Sequence, residues 1–180
     1  MSINSICVFC GARDGNDPKF VREAKRFATM LAENKMQLVY GGGDCGIMGA
    51  VANASLEAGG QVFGVFPKFL NQYESEHKKL SRMIIVDDMH TRKWTMFENS
   101  DAIVILPGGF GTLDEAFEVI TWKQLNTHQK PIIIFNQDGY WDKFIALTES
   151  IIGHGFAGES VRKLYTVVDS VEGIFEALGK

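Results

Sequence analysis

The sequence predicts a single Rossmann-like α/β domain, with a doubly wound, mostly parallel sheet and helices on both of its faces. Short apolar runs rich in β-branched residues alternate with helical patterns nearly to the C-terminus of the 180-residue chain. Two of these runs end in glycine clusters, where a strand would give way to a helix. No flexible linker or low-complexity tract interrupts the pattern. We therefore expect one domain over residues 1–180, an ordinary length for a single core.

Seven strands are predicted from the apolar runs, near residues 6–10, 37–40, 61–65, 83–86, 102–106, 131–135 and 166–168. Helices of moderate length fill the intervals between them. The first helix follows Asp17 and Pro18, a capping residue and a proline at the first helical position. Its apolar stripe includes Phe27 and Leu31. The longest irregular stretch, residues 67–82, is either a lid or binding loop or a plain surface excursion.

Charge and composition limit the classes of partner. The 18 Lys and Arg against 22 Asp and Glu give a net charge of −4, which argues against a broad nucleic-acid surface. The chain has no apolar run of about 18 residues and no signal-peptide pattern at residues 1–4, so we expect a cytoplasmic protein without a membrane partner. A small anion needs only a local site.

Neither the cysteines nor the histidines predict a metal site. Cys7 and Cys10 have the C-x-x-C spacing, but three residues apart on a buried strand they point to opposite faces. We interpret them as core residues, because no second pair completes a ligand set. The four histidines are scattered along the chain.

The two glycine loops, residues 39–46 and 106–112, are the candidate anion sites. A glycine-rich turn into a helix lets backbone N–H groups approach a phosphate, and the helix N-terminus adds partial positive charge. Neither loop is a P-loop, and the first lacks the acidic residue that a dinucleotide site needs about twenty residues later. Glycines that merely shape the turn are an equal alternative for the first loop. The candidate contacts in the two loops are Gly42, Gly43, Gly108, Gly109 and Gly111.

Thr112 and Glu115 admit two interpretations. Their T-x-x-E spacing is that of a capping box, in which the threonine hydroxyl and the glutamate carboxylate satisfy N–H groups at a helix start. A carboxylate held in this way is not free to meet a ligand. The spacing alone leaves the cap and a catalytic role for Glu115 both open.

Residues 107–115, PGGFGTLDE, match the P-G-G-x-G-T-x-x-E motif of the Lonely-guy (LOG) family. Further segments agree in order and spacing, namely residues 10–12, 40–49, 88–93, 118–122, 130–131 and 136–140. Nearly the whole chain thus resembles this family. Its members were often labelled lysine decarboxylases and are now regarded as phosphoribohydrolases of cytokinin riboside monophosphates or AMP.

The resemblance implies an activity and a set of site residues. The reaction would cut the N-glycosidic bond of a nucleoside 5′-monophosphate, releasing free base and ribose 5-phosphate without metal or cofactor. Arg92 and Glu115 map to the catalytic pair, and a homodimer with sites near the subunit interface is implied. The substrate contacts map to Glu74, Lys93, Gly108, Gly109, Phe110, Gly111, Thr112, Leu113, Asp114 and Thr121. Departures from the family at residues 12–13 and 76 bear on base preference.

Three alternatives stand beside this hypothesis. Without the resemblance, Arg92 and Lys93 would be a solvated charge pair on an exposed helix. A nucleotide or molybdenum-cofactor carrier on the same sheet would also keep the glycine loops, but the retention of both Arg92 and Glu115 favours a hydrolase. A decarboxylase would need a lysine that binds pyridoxal phosphate, and no segment of the sequence indicates such a site.

Overall fold

Seven parallel strands form one sheet in the computed structural model, which describes residues 3–180. The spatial order is β4-β3-β2-β1-β5-β6-β7, and every neighbouring pair is parallel. All seven predicted strands are confirmed, with ends within two residues of the prediction. Their bounds are β1 Ser5–Phe9, β2 Gln37–Tyr40, β3 Val62–Pro67, β4 Arg82–Val86, β5 Ala102–Ile105, β6 Ile132–Phe135 and β7 Thr166–Val168.

Among residues 3–180, six α-helices cover the two faces of the sheet. They are α1 Pro18–Glu33, α2 Gly46–Glu57, α3 Met89–Glu98, α4 Phe110–Gln124, α5 Asp142–Gly153 and α6 Val171–Ala177. Helices α1, α2 and α6 pack on one face, and α3, α4 and α5 pack on the other. The predicted start of α1 is confirmed, since the Asp17 carboxylate accepts a hydrogen bond from the Lys19 N–H at 2.8 Å and Pro18 follows it. Phe27 and Leu31 are fully buried.

Alternate side chains along β1 point into two separate hydrophobic cores, one on each face of the sheet. Ile6 and Val8 point into the core under α1 and α2, whereas Cys7 and Phe9 point into the core under α3 and α4. Cys10 lies in the first core and Cys7 in the second, both as free thiols, so the prediction of opposite faces is confirmed. Within residues 3–180, no helix is long and apolar enough to cross a membrane.

The centre of the sheet contains a topological switch point. Strands β1 and β5 are neighbours, but the chain leaves β1 towards β2 and leaves β5 towards β6, on the opposite side. The loops that follow these two strands therefore diverge and open a crevice at the carboxyl edge. Both glycine loops lie at this edge, as predicted, because each follows a parallel strand.

Candidate active site

A cavity of about 400 Å³ opens at the switch point, which is a size suited to a small-molecule ligand. Its walls come from the loops after β1, β2 and β5 and from the starts of α3 and α4. Arg92, Glu115 and Glu74 line it together with Gly108, Gly109, Gly111 and Thr112. The structure thus brings together seven of the residues that the sequence analysis selected. Ala12 and Arg13 also line the cavity.

The first glycine loop is shaped by close approaches to its neighbours. A Cβ on Gly41 would lie 2.0 Å from Nη2 of Arg92, so only glycine leaves room for that guanidinium. Gly46 adopts a positive φ of 58°, and a Cβ there would meet the backbone of Ala12 at 2.3 Å. The cavity wall from this loop is Gly41, whereas the predicted contacts Gly42 and Gly43 lie behind it.

The second glycine loop leads directly into α4. Gly109 takes the N-cap position and Phe110 is the first helical residue, so Thr112 lies inside the first turn. The capping-box interpretation of Thr112 and Glu115 is therefore wrong, because the helix begins three residues earlier than that motif requires. No side chain of the described residues caps α4, which leaves its first N–H groups to water or a ligand.

Arg92 is fixed by α3 and by two backbone carbonyls. Its side chain is buried, with Nη2 donating to the Gly41 carbonyl at 2.8 Å and Nε donating to the Val65 carbonyl at 3.3 Å. The interpretation of Arg92 and Lys93 as a solvated pair is wrong, since both side chains are buried. The rest of the guanidinium faces the cavity, where Nη1 has the sulfur of Met89 at 3.8 Å as its contact.

Glu115 lies in the second turn of α4 and presents a buried carboxyl to the cavity. Burial raises the pKa of this carboxyl from its ordinary value of 4.5 to about 7, against the opposing effect of the Arg92 guanidinium. The nearby Asp114 carboxylate adds a smaller upward effect on the same pKa. At neutral pH both protonation states of Glu115 are therefore populated, which suits a group that handles charge or protons in a reaction.

Lys93 lies outside the cavity lining and joins α3 to α4. Its ammonium contacts Oδ2 of Asp114 at 2.9 Å and Oε2 of Glu118 at 3.0 Å. Because Lys93 follows Arg92 and Asp114 precedes Glu115, this ion cluster ties together the two turns that carry the cavity's charged groups. Lys93 thus does not contact the cavity of its own chain.

Glu74 reaches the cavity from the irregular stretch after β3. A short 3₁₀ helix, Lys68–Gln72, begins that stretch. Its continuation is tied to the first glycine loop by the Asp44 N–H donating to the Ser75 carbonyl and the His77 N–H donating to the Gly42 carbonyl, each at 2.9 Å. The stretch therefore contributes Glu74 to the cavity lining and is held against the first glycine loop.

The other predicted contacts lie on the outside of α4. Phe110 is 92% exposed, Thr121 is exposed, and Leu113 packs partly against the second core. Asp114 is exposed and paired with Lys93. None of these four lines the cavity of its own chain within residues 3–180, and their contact with substrate stays a prediction.

Sequence reasoning missed several apolar and aromatic residues of the cavity. Phe20, Met48, Met89 and Tyr140 line it. The first belongs to the apolar stripe of α1, and the methionines carry no pattern that separates a binding wall from a core. Met48, Met89 and Tyr140 fall in the family-like segments 40–49, 88–93 and 136–140, and that membership was the available signal.

The chain is similar to known proteins in sequence and in structure. A family model described as "Possible lysine decarboxylase" matches residues 48–178. A probable cytokinin riboside 5′-monophosphate phosphoribohydrolase, LOG6 of Arabidopsis thaliana, is 40% identical over 171 residues, which are 95% of this chain and 85% of the relative. The cytokinin riboside 5′-monophosphate phosphoribohydrolase of Rhodococcoides fascians is 39% identical over 175 residues, which are 97% of this chain and 88% of the relative.

Solved structures of lower identity share the fold. A molybdenum cofactor binding protein from Rippkaea orientalis matches with a TM-score of 0.74 and 19% identity, over 99% of this chain and 97% of that chain. The Moco carrier protein of Chlamydomonas reinhardtii matches with a TM-score of 0.72 and 20% identity, over 98% of this chain and 96% of that chain. At such identities the likeness concerns the fold alone. The family model and the sequence relatives, which cover most of the chain, show that it belongs to the Lonely-guy (LOG) family.

Proposed function

We propose that this protein is a phosphoribohydrolase that cleaves the N-glycosidic bond of AMP or of an N6-substituted, cytokinin-type nucleoside 5′-monophosphate. The products are the free base and ribose 5-phosphate. Relatives about 40% identical over most of the chain are named for this activity. The observation that carries the proposal is that Arg92 and Glu115, far apart in sequence, line one cavity beside uncapped helical N–H groups.

The 5′-phosphate binds at the start of α4. Gly108, Gly109 and Gly111 let the backbone approach an anion closely, and the first N–H groups of the helix have no side-chain cap. The partial positive charge of the helix N-terminus adds to this attraction. A phosphate held there places the attached ribose inside the cavity, within reach of the charged residues.

Glu115 and Arg92 act on the ribose. Cleavage of the bond builds positive charge on the sugar, and a fixed carboxylate next to it stabilises the transition state more than the ground state. Glu115 supplies that carboxylate in its ionised form. Arg92 keeps a permanent charge near Glu115, and its hydrogen bonds to Gly41 and Val65 fix the direction of its remaining donors.

The competing activities differ from this proposal at particular side chains. A carrier has no need of a carboxyl whose pKa burial raises to about 7 beside an arginine. A decarboxylase of the pyridoxal type needs a lysine in the cavity, and none of the described residues that line it is a lysine. Lys93 is engaged with Asp114 and Glu118 instead.

We further propose that the protein works as a homodimer through the exposed face of α4. Residues 110, 114, 117, 121 and 125 follow the three- and four-residue spacing of one helix face, and three of them are the exposed apolar Phe110, Phe117 and Leu125. The same face carries the predicted contacts Asp114 and Thr121. A second copy of the chain bound to this face would cover the three apolar side chains. Asp114 and Thr121 of the first copy would then lie near the cavity of the second copy.

The expectations on location and partners enter the proposal as well. We place the enzyme in the cytoplasm. We also expect no nucleic-acid partner, in line with the net charge of −4. Cell fractionation tests the location. A filter-binding assay with single- and double-stranded DNA and RNA at moderate salt tests the second point.

The activity is tested by incubating the protein with a panel of nucleoside monophosphates and separating the products by chromatography. AMP and N6-isopentenyl-AMP should give their free bases and ribose 5-phosphate in equal amounts. A protein that binds AMP but releases no base from any nucleotide would be a carrier. An absorption band of bound pyridoxal phosphate in the purified protein would favour the decarboxylase.

A further inference from the structure

Tyr140 connects the loop after β6 with the second glycine loop. Its hydroxyl donates to the Gly108 carbonyl at 2.5 Å, across 32 residues of sequence. Its ring meets Phe20 edge-on, with the centroids 5.3 Å apart, and both rings line the cavity.

The loop that carries Tyr140 is stabilised by hydrogen bonds within its own turn. Asp138 and Gly139 both have positive φ values, 49° and 76°, and such a conformation costs free energy at a residue other than glycine. Asn136 supports the turn with both ends of its amide. Its Oδ1 accepts from the Trp141 N–H at 2.6 Å, and its Nδ2 donates to the Asp142 carboxylate at 2.8 Å. The tyrosine is therefore presented by a braced turn.

Within the second glycine loop, the peptide bond between Gly108 and Gly109 gains most from a hydrogen bond to the Tyr140 hydroxyl. Neither residue has a Cβ, so steric clashes restrict the rotation of this peptide plane less than elsewhere. The carbonyl and the N–H of a trans peptide point in opposite directions. If the plane turned, the Gly108 oxygen would replace the Gly109 N–H at the start of α4 and repel an anion.

We propose that Tyr140 is a positioning residue for the anion site. By holding the Gly108 carbonyl, it keeps the Gly109 N–H available to the 5′-phosphate. The inference rests on the proposed function for the identity of that anion. Tyr140 itself takes no part in bond cleavage, and its effect is on the binding of the phosphorylated ribose.

Tyr140→Phe tests this directly, because it removes the hydroxyl and keeps the ring against Phe20. The matched control is Tyr165→Phe, which removes a hydroxyl from a tyrosine packed at the second core, away from the cavity. Calorimetric titration with ribose 5-phosphate should give a Kd about three- to tenfold weaker for Tyr140→Phe, the effect of one lost hydrogen bond. The control should bind as the wild type does.

Steady-state kinetics with AMP separates positioning from general damage. We expect KM to rise by a similar factor in Tyr140→Phe while kcat and the melting temperature stay at their wild-type values. An unchanged Kd for ribose 5-phosphate, or a fall in kcat and melting temperature with KM unchanged, would overturn the inference. If the wild type binds ribose 5-phosphate but releases no base, the hydrolase proposal fails, and the titration still decides the role of Tyr140.

Discussion

Replacing Glu115 by glutamine should make the protein more stable and less active. Burial raises the pKa of this carboxyl from 4.5 to about 7. This difference corresponds to about 3 kcal/mol of penalty on the ionised form. Because the pKa is higher in the folded state, the folded protein binds more protons between about pH 4.5 and pH 7, and stability falls as pH rises through that window. Above pH 7 the whole penalty applies.

Glu115→Gln removes the ionisation and keeps the shape of the side chain. At pH 8 the variant should therefore gain up to about 3 kcal/mol, which corresponds to roughly 6–12 °C in melting temperature for a chain of this length. At pH 4.5 the difference from the wild type should nearly vanish. Turnover of AMP should fall about a hundredfold or more, since the variant cannot place a negative charge beside the ribose.

Thermal melts at pH 4.5 and pH 8, with base release measured on the same preparations, check both expectations. Glu57→Gln is the matched control, because Glu57 is an exposed carboxylate at the end of α2. The reasoning is refuted if the variant melts below the wild type at pH 8, or shows the same shift at both pH values. Near-normal turnover in a stable Glu115→Gln protein would remove the catalytic assignment.

Three further predictions follow from the geometry of the site. Arg92→Ala should lower kcat at least about a hundredfold. It should also lower the free energy of unfolding in urea by about 1–3 kcal/mol, because the Gly41 and Val65 carbonyls lose their hydrogen-bond donor. Full activity of this variant would contradict the role of Arg92. Gly41→Ala should reproduce the loss of kcat, because its Cβ would lie 2.0 Å from Nη2 of Arg92. The control Gly153→Ala, which has open space around its Cβ, should keep wild-type activity. Equal activity of the two variants would show that the position of Arg92 is unimportant. Light scattering should give a dimer for the wild type and for Leu147→Glu on α5, but a monomer for Leu125→Glu at the C-cap of α4. A monomeric wild type would end the dimer proposal.

The sheet was predictable because its strands are short, largely apolar runs between polar or turn-forming residues. Strands buried on both faces, such as β5 and β6, are runs of four apolar, mostly β-branched residues, which is typical of a parallel sheet. The glycine loops were predictable for the same reason, since a loop after a parallel strand must lie at the carboxyl edge. The start of α1 depended on local chemistry at Asp17 and Pro18.

The features that the sequence did not decide depend on tertiary contacts. The capping alternative for Thr112 and Glu115 stayed open because Gly109 caps α4 with backbone alone, and a glycine gives a weaker signal than the T-x-x-E pattern. The burial of Arg92 and Lys93 depends on partners from β3, the first glycine loop and α4, which the local sequence does not reveal. Tyr140 was assigned no role because its contact with Gly108 spans 32 residues.

The requirement for the 5′-phosphate is the most direct measurement of the proposed activity. Wild-type protein is incubated with AMP and with adenosine in parallel, with Glu115→Gln as the blank, and adenine and ribose 5-phosphate are quantified by chromatography over time. We expect adenine and ribose 5-phosphate to appear in equal amounts from AMP, and no adenine to appear from adenosine. Equal release of adenine from both substrates, or none from AMP, would contradict a phosphate-binding start of α4 that holds the ribose against Glu115.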